Sequence, residues 1–114
     1  MSLITPELAK LHLRVDGDDE DQLIALYTDA AEETAMEFIN RTVYADADEL
    51  ADAVLAGTAG QDPMVVTKSI QAAILLILGD LYANREDTVV GTIVASLPRG
   101  AQALLQPYRV QMGV

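Results

Sequence analysis

The chain has 114 residues and a mass of 12.2 kDa, enough for one hydrophobic core and too little for two. Hydrophobic residues make up 51%, which excludes a fully disordered chain; aromatics are only 4% and tryptophan is absent, so Ala, Leu, Ile and Val must build the core. A net charge of −11 and an isoelectric point near 4.1 oppose gripping a phosphate backbone or an anionic membrane surface.

Cysteine is absent, which removes disulfides, thiolate zinc sites and thiol catalysis together. The segment Met1-Ser2-Leu3-Ile4-Thr5-Pro6-Glu7 lacks the basic region and apolar stretch of a signal peptide. The longest apolar run, Ala72 to Leu78, falls far short of the roughly 20 residues of a membrane span. A soluble, cytoplasmic protein with no membrane partner is expected. Its charge is uneven along the chain. Residues 1–62 hold fifteen acids and three bases, whereas residues 63–114 hold three acids and four bases.

Thr5-Pro6 predicts a helix start: a hydroxyl cap, then proline where its missing N–H costs nothing. Leu8, Leu11 and His12 would form the apolar stripe of this short helix, which ends near Arg14. The run Asp16-Gly17-Asp18-Asp19-Glu20-Asp21 reads as a turn, a cap and an acidic first turn. A long helix follows from about Asp19 to Arg41, with Leu23, Tyr27, Ala30, Ala31, Thr34 and Phe38 inward and Asp29, Glu32, Glu33 and Glu37 in water.

Thr42 to Tyr44 reads as extended, and Asp46 to Ala56 as a short helix with Leu50, Val54 and Leu55 on one face before Gly57 and Gly60. Asp62-Pro63 repeats the cap-plus-proline pattern and predicts a second long helix to about Asn84. Its middle, Ile70 to Leu78, is apolar nearly all round, so it is either central to the fold or covered by a partner subunit. Thr88 to Leu97 is β-prone with no partner strand except Thr42 to Tyr44; it folds on itself or orders against another molecule. Pro98 starts a last helix, Arg99 to Gln106, and Pro107 stops it. The predicted fold is all-α: a single domain over residues 1–114, a small bundle of two long helices, two or more short ones, and a β-prone loop near residues 88–97.

Catalytic signals are weak. A calcium loop starting at Asp16 would use Asp16, Asp18 and Glu20, but it places Asp21 where glycine is needed and Tyr27 where a bidentate glutamate is needed. His12 is the only histidine, between Leu11 and Leu13, and reads as structural. Glu32, Glu33 and Glu37 read as a solvated helix face. Asp80 interrupts the most apolar helix and needs a partner, either as a cap or across a subunit boundary. No enzyme activity, metal or cofactor is expected.

Three segments in order carry a resemblance. Thr5-Pro6-Glu7-Leu8-Ala9-Lys10-Leu11-His12-Leu13-Arg14-Val15-Asp16 runs into Asp18-Asp19-Glu20-Asp21-Gln22-Leu23-Ile24; Leu81-Tyr82-Ala83-Asn84-Arg85-Glu86 follows; Leu97-Pro98-Arg99-Gly100 leads to Leu104-Leu105-Gln106-Pro107-Tyr108-Arg109. Together they resemble the small head–tail connector, or head-completion adaptor, family of long-tailed bacteriophages. The resemblance implies a helical structural protein that forms a homo-oligomeric ring beneath the portal after packaging. Such a ring extends the DNA channel, lets DNA pass without tight binding, and receives the next connector or tail-completion protein. It also implies assembly in the host cytoplasm and a final place at the head–tail junction of the virion. Residues 45–62 do not fit the family pattern.

On this reading the subunit or portal interface comprises Val89, Val90, Ile93, Val94, Arg99, Leu104, Leu105, Tyr108 and Arg109. The opposing acidic face comprises Asp18, Asp19, Glu20 and Asp21 of a neighbouring copy. The alternative for Leu104 and Leu105 is that they close the chain's own core. Two other functions compete: a generic acidic helical adaptor, and a DNA mimic that inhibits a basic DNA-binding protein and needs acids at phosphate-like spacing.

Overall fold

The computed structural model describes residues 3–84 and 97–110. Helix α1 (Pro6–Leu13) starts as its sequence dictates: Thr5 Oγ1 accepts from the Leu8 N–H at 3.1 Å, and Pro6 occupies the first position. It ends at Arg14, whose φ of 59° lets its N–H turn back to the Leu11 carbonyl. Its inward residue is Ala9, supported by Leu8 and Leu13, while Leu11 is 75% exposed and His12 lies in solvent. The expected Leu8–Leu11–His12 stripe is therefore rotated, because a small residue lets the helix sit close to its neighbours.

Helix α2 (Asp21–Ile39) is shorter than expected at both ends, and its inner face is also displaced. Ile24, Thr28, Ala31, Glu32, Ala35 and Ile39 are buried; Leu23, Tyr27, Ala30, Thr34 and Phe38 flank them half-buried. Ala31 and Ala35 permit close approach of the next long helix, which larger rings at that place would hold off. Thr28 satisfies its buried hydroxyl by donating to the Ile24 carbonyl at 2.7 Å.

Strand β1 (Val43–Tyr44) pairs in parallel with β2 (Met64–Val65), Val43 opposite Met64 and Tyr44 opposite Val65. Parallel strands need a crossover, and here it is helix α3 (Ala47–Ala56), capped by Asp46 and ended by Gly57 at φ 73°. The helix predicted from Asp62-Pro63 does not begin there. Met64 and Val66 instead donate to the Thr42 and Tyr44 carbonyls at 2.9 and 2.8 Å, so strand pairing overrides the cap signal. Gly60, at φ 84°, packs against the Thr42 side chain where a Cβ would collide.

Helix α4 (Lys68–Ala83) starts instead at Thr67, whose hydroxyl accepts from the Ile70 N–H at 3.2 Å. It is the centre of the fold. Ile70, Ala73, Ile74, Ile77 and Leu78 are buried, against α2 on one side and α5 (Arg99–Leu105) on another, with α1 beside them. Each large aliphatic side chain so buried contributes about 1.5–3 kcal/mol. Pro107 does not stop the last helix outright: it sits inside a 3₁₀ turn, Gln106–Tyr108, that continues α5. The architecture is mainly α, as expected, with five α-helices and one two-strand pair among the described residues. No described helix is long and apolar enough to cross a membrane. The β-prone segment, with Val89, Val90, Ile93 and Val94, lies outside the described residues except for Leu97.

Candidate functional site

The acids at the start of α2 are brought together, but around a cation of their own chain. The Lys10 ammonium donates to Asp18 Oδ1 at 3.1 Å and to Asp21 Oδ1 at 2.8 Å. Tyr82, near the end of α4, donates its hydroxyl to Glu20 Oε1 at 2.7 Å. Of the expected acidic face, Asp18, Glu20 and Asp21 thus clasp α1, α2 and α4, and Asp19 is left in solvent. The hydrogen bonds to Asp21 and then Asp18 raise the Lys10 pKa above its ordinary 10.5. A raised lysine value means stability that is complete below 10.5 and lost as pH rises through the folded value. Lys10→Met should therefore melt below wild type by a constant margin at neutral pH, a margin that closes in strongly alkaline buffer. Melting curves across that range check it; a margin unchanged in alkali would refute the clasp.

Beside the clasp, α1 and α2 frame a groove of about 480 Å³. Ile4, Pro6, Ile24 and Ala25 give it apolar walls, and Glu7, Lys10, Asp21 and Asp29 are its charged lining. Three acids against one base make it a poor receptor for another acidic surface.

A carboxylate expected in water lies inside. Glu32 is 7% exposed, and its Oε2 accepts from the Leu3 and Ile4 backbone N–H groups at 2.9 and 3.1 Å. From α4, Gln71 Nε2 donates to the Leu3 carbonyl at 3.3 Å. The N-terminal segment is strapped across both long helices, and Leu3 and Ile4 enter the core. Asp29, Glu33 and Glu37 stay in solvent as expected. The alternative stripe Ile24–Thr28–Ala31–Ala35–Ile39 was the available signal, since Glu32 lies on that face.

At the other end, Leu105 and Ala101 are fully buried, and Leu104 and Tyr108 pack half-buried against the core. Leu105 closes the chain's own core, the alternative weighed from the sequence. The Arg109 guanidinium stands 4.8 Å from the centre of the Phe38 ring, a cation–π contact with α2. The Val110 N–H donates to the Ile39 carbonyl at 2.9 Å and Asn40 Nδ2 donates to the Val110 carbonyl at 2.8 Å, anchoring this end. Arg99 is exposed.

The sequence grouped Leu50, Val54 and Leu55 on one helix face without marking that face as exposed. Helix α3 has no fully buried side chain, Val54 is 57% exposed and Leu55 87%. The apolar face expected of Leu50, Val54 and Leu55 is turned largely to solvent. A signal was present: residues 42–67 carry five acids and no base around those aliphatics.

The remaining candidates have local roles. His12 lies in solvent with its ring near Gly79, and Asp80 accepts from Asn84 Nδ2 through both its carbonyl (2.9 Å) and its carboxylate (3.3 Å) at the end of α4. No group of three or more potential metal ligands is found among the described residues. Compared with known proteins, residues 5–109 match the family model described as phage gp6-like head-tail connector protein. No curated protein and no solved structure matches the chain.

Proposed function

This chain belongs to the phage gp6-like head–tail connector family, and from that premise we propose that it works as a ring joining the packaged head to the tail. The observation that carries this is the extent of the match, residues 5–109, which takes in every described helix and both strands. The role is structural. Copies meet head to tail around a closing rotation, the ring continues the portal's channel, and its far face receives the next connector or tail-completion protein. DNA passes through rather than binding, because a chain of net charge −11 offers few cations to replace phosphate counterions. The DNA-mimic alternative loses ground, since Lys10 neutralises Asp18 and Asp21, two of the acids such a mimic would present.

Native mass measurement over a wide concentration range, with and without portal protein, tests the ring. Discrete closed oligomers are expected in at least one condition, and a strict monomer in all of them would sink the reading. In a low-salt gel shift, duplex DNA should not be retained, and micromolar binding there would overturn the picture of free passage.

A further inference from the structure

We propose that α3 is the element by which one copy grips the next, seating Val54 and Leu55 on the neighbour's α4–α5 surface around Leu76 and Arg99. This rests on the ring reading above and assigns its contact surfaces. Helix α3 is well built and yet buries none of its side chains fully within its own chain. Asp46 Oδ1 accepts from the Glu49 N–H at 2.8 Å at one end, and Gly57 supplies the left-handed turn at the other. The Tyr44 hydroxyl then donates to the Ala59 carbonyl at 2.7 Å, fixing the loop that follows. A free helix of ten residues is marginal in water, so these anchors hold it in a set direction. What it presents there is Leu55, 87% exposed, and Val54, 57% exposed, beside the exposed acids Asp48 and Asp52.

Charge selects the receiving surface. The groove between α1 and α2 is apolar enough to take a leucine, but Glu7, Asp21 and Asp29 line it and would repel Asp48 and Asp52. The α4–α5 surface has the opposite character. Leu76 is 39% exposed and lies against Gly100, where an added Cβ would stand 3.1 Å from its Cδ1, so the two helices form one patch there. Arg99 and Lys68 are exposed on these two helices against one exposed acid, Asp80, a turn beyond Leu76, and α5 itself carries no acid, so cations outnumber acids here as acids outnumber cations in the groove. No residue is common to the two surfaces, as a repeating head-to-tail contact requires. Exposed ion pairs add little affinity, so Leu55 dominates binding and the acids set orientation.

Because the natural chain has no cysteine, single-cysteine variants give a clean test. Ala51→Cys, one turn before Leu55 and exposed, and Ala103→Cys, alone and combined, would be treated with a short bis-maleimide under conditions where wild type assembles. The double variant should give a ladder of linked chains, each single variant only monomers, and a mixture of the two singles only dimers. Dimers from Ala51→Cys alone, or no linkage in the double variant, overturns the assignment. In parallel, Leu55→Asp should weaken assembly at least tenfold with an unchanged melting temperature. Assembly equal to wild type would sink the α3 contact alone, whereas wild type that never assembles sinks the ring reading itself.

Discussion

Replacing Glu32 with alanine is expected to cost about 3–5 kcal/mol, because two buried N–H groups lose the charged acceptor they share. In a domain of this size that lowers the melting temperature by on the order of 10 °C. The loss should be local in origin. Leu3 and Ile4 are 5% and 1% exposed, and without Glu32 the strap that seats them detaches from α2. Amide exchange at Leu3 and Ile4 should rise before the rest of the core. Glu32→Gln retains a carbonyl oxygen where Oε2 stood and should cost only about 1–2 kcal/mol. If alanine and glutamine behave alike, with losses under about 0.5 kcal/mol, the carboxylate is not holding the segment.

Leu105→Ala is the second large effect, about 2–5 kcal/mol, since its side chain is fully buried where α5 meets α4 and leaves a cavity when shortened. The double change Tyr108→Ala with Arg109→Ala should cost less. It removes a half-buried ring and an exposed cation, and the main-chain bond from the Val110 N–H to the Ile39 carbonyl and the Asn40 side-chain bond to the Val110 carbonyl survive it. Denaturant unfolding compares the two directly. A Leu105→Ala protein as stable as wild type would mean that α5 closes something other than this core.

The helices at the two ends of the chain were legible because their signals are local. Thr5-Pro6 and Pro98 act within one turn of themselves, and no distant contact competes with them. The centre of the chain was misread where local and distant preferences disagree. Asp62-Pro63 has the form of a helix start, but Met64 to Val66 lies within reach of Val43 and Tyr44 and pairs with them. Helix α2 was placed correctly and rotated wrongly. Tyr27 and Phe38 made one stripe conspicuous, whereas the helix contact is set by the small Ala31 and Ala35. That rotation is what hid Glu32. Of the expected interface, the acids near Asp18 and the arginines near the C-terminus are where helix boundaries put them; their bonds to Lys10, Tyr82 and Phe38 depend on tertiary proximity that spacing does not encode.

The α3 excursion also bears on how such a chain can diversify. It leaves and rejoins the bundle at one place, where the Thr42 N–H meets the Gln61 carbonyl and the Thr42 and Tyr44 carbonyls meet the Met64 and Val66 N–H groups. These are main-chain bonds, indifferent to the side chains between them. Beyond Gly60, which must stay small beside Thr42, the intervening residues answer to few demands from the core. The excursion is thus an exchangeable cassette: its length and sequence can drift between lineages and acquire new specificities while the parent bundle keeps its stability.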